Sequence, residues 1–206
     1  MSVKYILDTN VYIEAYKGYY HPDIVPVYWD ILKNLGEKNI VKSPIQVRDE
    51  IKIQNKPSAS KEPPKDEDRF LYDWARSSEN NCFLKQDLLG IENHFSKVQD
   101  AYLIVKRKNT DALLKKDRDF KWPRREPVSD QDMFVIATVL FYQEHFPNTK
   151  FVLVTKEGND NPPKSYKPGK IPHICNEMGI QWMTDFDFIK KVGITFDTSW
   201  FLNSIK

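Results

Sequence analysis

Tyr5-Ile6-Leu7-Asp8-Thr9-Asn10-Val11 is the stretch on which the reading turns. An apolar, β-prone run beginning at Val3 stops abruptly at Asp8-Thr9-Asn10, three residues whose short polar side chains start helices. The run predicts a strand over Val3–Leu7 and a helix to about Tyr16. Outward from it, Asp23–Leu35 predicts a second helix, with Val27, Ile31 and Leu35 at four-residue spacing and Gly36 closing it. Asn39–Lys42 predicts a short strand, and Ser43-Pro44-Ile45-Gln46 a capping box with proline at the first helical position. The order β-α-α-β-α favours a parallel sheet with both faces covered.

The same grammar returns near the other end. Ser129 and Asp130 lead a helix over Asp132–His145, and Phe151–Val154 is apolar throughout, as a central parallel strand is. A Pro/Lys/Asn-rich loop at Lys156–Gly169 precedes a helix at Ile171–Met178 closed by Gly179. Ile180–Met183 predicts a last strand and Asp185–Val192 a last helix. Between the halves, Gln54–Pro64 reads as a mobile loop, and Phe70, Leu71, Trp74 and Ala75 mark a short helix. Leu88, Ile91, Phe95, Val98, Tyr102 and Val105 alternate spacings of three and four, predicting an amphipathic helix of about five turns. Its stripe is expected to pack on its own domain rather than in a coiled coil. The expectation is therefore one α/β domain over 1–206, three-layered around a parallel sheet of about four or five strands, with a helical insertion at about 55–125.

Composition narrows the function classes. Of 206 residues 40% are hydrophobic and 13% aromatic, enough for a core, which excludes a disordered chain. The net charge of +2 excludes a polyelectrolyte, so any nucleic-acid surface has to be local. Two cysteines, Cys82 and Cys175, exclude a disulfide framework and a Cys-rich zinc site, and read as small apolar residues. His21, His94, His145 and His173 show no ligand spacing. Lys4 and Asp8 interrupt the first apolar stretch, so it is not a signal peptide, and the run Met133–Tyr142 is too short to span a bilayer. A soluble, cytoplasmic protein without a membrane partner is expected.

The informative feature is where the acids fall. Ligands of an open parallel sheet bind beyond the carboxyl ends of its strands. Asp8 follows the first strand directly, and Glu50 lies in the helix after the second. Asp130 and Asp132 open the helix leading to Phe151–Val154, and Glu157 follows that strand beyond Thr155. Carboxylates crowded at one edge repel unless cations share them, and hard oxygen ligands suit Mg²⁺ or Mn²⁺ and phosphoryl chemistry. Against this stands ordinary helix capping, which accounts for any one of these acids alone. From the pattern both readings stay open.

The same residues resemble a known family. Tyr5–Val11 is similar to the opening of PIN-domain nucleases, a hydrophobic strand ending in Asp-Thr-Asn or Asp-Thr-Ser. Val47-Arg48-Asp49-Glu50-Ile51 resembles the helix that carries the second acid, and Asp132-Met133-Phe134-Val135-Ile136-Ala137 the third. Val154-Thr155-Lys156-Glu157 resembles the last element, with Glu where the pattern has Asp. A DUF4411-like subfamily resembles the chain further, in its aromatic second helix (Tyr20–Trp29) and in Lys170-Ile171-Pro172-His173-Ile174-Cys175. The resemblance runs from residue 5 to about 190 and is loose over 55–125. It implies a PIN-like fold and a ribonuclease, often the toxin of a toxin–antitoxin pair. Asp8, Glu50, Asp132 and Glu157 would bind one or two Mg²⁺ (or Mn²⁺) ions that activate water against a phosphodiester of single-stranded RNA. Asn10, Thr155 and Asp130 would support them, Glu157 reaching metal through a water. It also implies a cognate antitoxin and homodimerisation as partnerships.

Basic residues supply candidate RNA contacts. Residues 106–125 carry nine Lys or Arg against three Asp, with Phe120 and Trp122 interleaved as stacking platforms for bases would be. Arg124 and Arg125 are candidates there, alongside Lys156, Lys164, Lys167 and Lys170 around the loop beyond the presumed site; a solvated surface is the plain alternative. Two rival classes are weighed. A phosphoaspartyl enzyme wants a second acid two residues after Asp8, where Asn10 stands. A PIN-like protein- or RNA-binding module without catalysis is disfavoured by retention of all four acids.

Overall fold

The computed structural model describes residues 2–52, 66–116, 118, 130–158 and 169–193, with the side chains of 66–68 left out. The elements run β1 (Ser2–Leu7), α1 (Thr9–Lys17), α2 (Pro26–Glu37), β2 (Val41–Lys42), α3 (Ile45–Glu50), α4 (Asp66–Arg76) and α5 (Phe95–Leu114). They continue with α6 (Asp130–His145), β3 (Thr149–Thr155), α7 (Ile171–Met178), β4 (Trp182–Thr184) and α8 (Asp185–Lys191). The four strands form one all-parallel sheet in the order β2-β1-β3-β4. β1 and β3 lie at the centre, paired from Ser2↔Thr149 to Leu7↔Val154. Their buried stretches, Tyr5–Leu7 and Phe151–Val154, are apolar on both faces because both faces are covered. Tyr5 meets Phe188 of α8 edge-on at 5.0 Å, while Phe151, one position out of phase, stacks on Tyr142 of α6 at 5.0 Å. α8 and α6 thus lie on opposite faces, and α5 and α7 pack on α6, giving a three-layer α/β/α arrangement.

Five local expectations are corrected. The stripe Val27, Ile31, Leu35 is not the buried face of α2; Tyr28, Trp29, Leu32 and Gly36 are, and Val27 is 47% exposed. Aromatic size overrode aliphatic spacing: the Trp29 ring sits edge-on to Trp74 at 5.0 Å and Phe70 at 5.5 Å, and Tyr28 stacks on Tyr20 at 4.4 Å. The helix also begins at Pro26, with proline in its first turn, rather than at Asp23. Gly36 does not end it but lets the 81–82 backbone approach, since a Cβ there would sit 2.6 Å from Cys82 N. Gly36→Ala is therefore expected to destabilise by about 1–3 kcal/mol, read as a lower denaturant midpoint with an unchanged slope. A variant as stable as wild type would show that the 81–82 turn yields freely.

Ser43 does not cap α3, whose N-cap is Pro44 without a side-chain bond. The buried Ser43 Oγ donates instead to the Leu7 carbonyl at 2.8 Å. A serine hydroxyl has one proton, so at the 3.0 Å contact with Tyr12 it is the tyrosine that donates. This relay ties the end of β1 to α1 and to the turn after β2. The amphipathic stripe from Leu88 also divides: Ile91–His94 is a 3-10 turn, the α-helix starts at Phe95, and Val98, Tyr102 and Val105 are buried on it. Gln54–Pro64 lies outside the described residues.

Candidate active site

Parallel strands deliver all their carboxyl ends to one edge, and the candidate residues stand there. Asp8 directly follows β1 and is buried; its N–H extends the ladder to the Val154 carbonyl at 2.9 Å. Asp8 is also the N-cap of α1, with Oδ1 accepting from Thr9 N at 2.7 Å. Capping occupies only that oxygen. Oδ2 accepts from Thr155 Oγ1 at 3.1 Å and lies 3.4 Å from Asn10 Nδ2. The Thr155 hydroxyl in turn accepts from the Glu157 N–H at 3.2 Å, so one side chain positions both the first and the last acid.

Alternation along β3 sorts the residues that follow. Thr155 and Glu157 serve the Asp8 side. Lys156, between them, donates to Asp185 at 2.8 Å and lies 4.6 Å from the Phe186 ring centre, at the start of α8. The Glu157 carboxylate accepts from Ile171 N at 2.8 Å, the first amide of α7, where the helix dipole favours a negative charge. Asp132 is half-buried in the first turn of α6 and Asp130, the first residue, is exposed. Glu50, at the last residue of α3, is half-buried and accepts a short hydrogen bond from Thr9 Oγ1.

The electrostatics draw three of these acids together. Burial pushes the Asp8 carboxyl up to about 7, and the charges of Asp132 and then Glu157 push the same way; the Thr155 and Thr9 hydrogen bonds only partly offset them. Glu50 joins through Thr9 rather than through its charge on Asp8. Among the described residues, no three His, Cys, Asp or Glu side chains are gathered closely enough to hold a metal ion as they stand. The donor set is nonetheless all oxygen, and the repulsion from Asp132 and Glu157 that adds to the burial of Asp8 is what a divalent cation relieves, so the residues suit Mg²⁺ or Mn²⁺ in kind.

The comparisons with known proteins bear on this edge. Residues 5–196 match the family described as a domain of unknown function, DUF4411, nearly the whole chain. The chain belongs to the DUF4411 family. No curated protein and no solved structure matches it. In this DUF4411 member the matched region contains the four acids and all four strands except the first residues of β1.

The basic candidates divide. Lys156 is ion-paired as described, and Lys170 is the N-cap residue of α7, its N–H directed at His173 Nδ1 at 3.4 Å. Lys108, in the basic stretch, pairs with Glu177 of α7 at 2.6 Å. Lys164, Lys167, Arg124, Arg125, Phe120 and Trp122 lie outside the described residues. Thr9 and Asp185 were not singled out from sequence. Thr9 lay inside the quoted motif, and Asp185 repeats the Asp8 signal, an acid one residue past a strand. Both cysteines are buried, and burial raises both thiols, Cys82 to about 12. Among the described residues no helix is long and apolar enough to cross a membrane.

Proposed function

We propose that the protein is a Mg²⁺- or Mn²⁺-dependent endoribonuclease of PIN type that cleaves single-stranded RNA. The observation that carries this reading is the Asp8 carboxyl, lifted to about 7 by its burial and then by the charges of Asp132 and Glu157, three acids contributed by three different segments at one sheet edge. A fold keeps such an unfavourable grouping where function uses it. Asp8, Asp132 and Glu157 would hold the ion, with Glu50 at the rim. When bound, the ion supplies a lowered water pKa and charge stabilisation on the phosphate oxygens. The protein's own part is to aim Asp8 and, through the Thr155 and Thr9 hydrogen bonds, to offset part of the rise in its pKa. Thr9 N fixes one carboxylate oxygen and the Thr155 hydroxyl the other, and burial of Thr155 keeps bulk water from competing for that bond. The toxin role, a cognate antitoxin and homodimerisation belong to the same proposal and rest on the resemblance alone.

Incubation of purified protein with labelled single-stranded RNA in Mn²⁺ or Mg²⁺, against a chelator control, tests it. Metal-dependent internal cuts are expected, and a folded protein that makes none overturns the reading. A non-catalytic binding module is then preferred, and the bond from Ile171 N to Glu157 is the feature that favours it, since it engages that carboxylate structurally. Thr155→Val should lower cleavage about 10- to 100-fold, the usual cost of losing a hydrogen bond that orients a metal-binding carboxylate. Unchanged cleavage would show that Asp8 needs no such support.

A further inference from the structure

A cleft opens where α3, the end of α4 and the segment Phe83–Lys85 meet. Its volume is about 280 Å³, and Arg48, Arg76, Lys85, Ser77, Ser78 and Asn80 form the polar part of its lining, over an apolar part that includes Phe83. That is just below the size of pockets that take drug-sized ligands, and fits a smaller anionic group. Its charges are organised. Arg48 Nε and Nη2 reach Asp49 Oδ1 at 3.0 and 2.9 Å, and Arg76 Nη2 lies 4.0 Å from the same oxygen. One carboxylate thus orients two guanidiniums and neutralises only one. Arg76 is further fixed by donating to the Ile51 carbonyl at 3.1 Å and by lying 3.8 Å from the Tyr72 ring centre. Lys85 makes no ion pair among the described residues, so the cleft keeps two uncompensated positive charges beside serine hydroxyls. Oriented guanidinium forks, an ammonium and hydroxyl donors together match the tetrahedral oxygens of a phosphate.

The cleft lies along the helix that carries one of the acids: α3 bears both Arg48 and Glu50, and Arg76 donates to the carbonyl of Ile51, the residue after Glu50. We propose that this cleft binds a backbone phosphate of the single-stranded RNA that enters the carboxylate edge, and so sets where the strand lies. This rests on the ribonuclease reading above for the identity of the strand. Phosphate contacts are sequence-independent and position the chain, as the neighbourhood of the cleft requires.

The test is binding of a fluorescent single-stranded RNA to the Asp8→Asn protein as a function of salt. Adding Lys85→Glu or, separately, Arg48→Gln should weaken binding about tenfold and lower the salt slope by about 0.7, one phosphate contact. Lys190→Glu, the same charge change as Lys85→Glu at an exposed position of α8, should do neither. Equal losses from Lys190→Glu and Lys85→Glu overturn the proposal, because net charge alone would explain both. Affinity and slope unmoved by Lys85→Glu and Arg48→Gln overturn it in favour of an acidic protein partner, even when wild type cuts RNA. Wild type that fails to cut while the cleft variants weaken RNA binding sinks the nuclease reading alone. An Asp8→Asn protein that binds no RNA overturns the cleft assignment.

Discussion

Purified Asp8→Asn protein is expected to cut single-stranded RNA at least about a hundredfold more slowly than wild type while remaining folded. Asparagine keeps the shape of the side chain and an oxygen for Thr9 N, so the start of α1 keeps its cap. It removes the negative charge at the most buried of the four acids, and with it the electrostatic attraction that a divalent cation needs. Loss of a group that merely orients a metal ligand already costs about 10- to 100-fold, so loss of the ligand charge costs at least the upper end. Asp132→Asn should act alike, as the largest charge on Asp8. Near-wild-type, metal-dependent cleavage by a folded Asp8→Asn protein would remove Asp8 from the site.

The same substitution should stabilise the metal-free protein. An acid whose folded pKa is raised, here from 3.8 to about 7, binds its proton more tightly when folded. Its contribution is full below about pH 4 and is lost as pH rises to about 7. Three pKa units correspond to about 4 kcal/mol, or about 8–16 °C of melting temperature for a chain of this size. The difference between wild type and Asp8→Asn isolates this one group: in chelator, the variant should gain on wild type between pH 4 and 7 and hold its lead above. Mn²⁺ should reverse the order. A ligand at 100 times its Kd that binds only the folded state adds about 2.7 kcal/mol, a rise of about 5–10 °C for wild type and little for the variant. Equal shifts with Mn²⁺, or parallel pH profiles, would mean that these acids do not share a cation and that Asp8 is only a helix cap.

Much of this arrangement was legible in the sequence because it is written in short-range patterns. The apolar run before Asp8 could only be a covered strand, and its parallel partner at Phe151–Val154 follows from the same hydrophobicity. Gly179, at φ 68°, closes α7 where the glycine code places it. What failed depended on contacts far along the chain. The spacing of Val27, Ile31 and Leu35 carries no information about Trp74 and Phe70, the partners that turned Trp29 and Tyr28 inward. Gly36 reads as a helix end until the 81–82 backbone is seen beside it, and Ser43 as a cap until Leu7 and Tyr12 claim its hydroxyl. For the site, the strand-end rule put Asp8 and Glu157 at one edge. It had no means to tell that Lys156 would face away to Asp185, or that Thr155 would bridge Asp8 and Glu157.

The strict alternation of Thr155, Lys156 and Glu157 fixes the length of this turn more firmly than its chemistry. Deleting one residue upstream, between Phe151 and Val154, would rotate the frame by one position and bring the ammonium of Lys156 toward the pocket that now gathers carboxylates. A cation-attracting mouth would become cation-repelling without any change in composition. Point substitutions here adjust the strength of the site, whereas an insertion or deletion reverses its sign. Among descendants of this chain, gaps should therefore be absent from 151–157 even where individual residues drift.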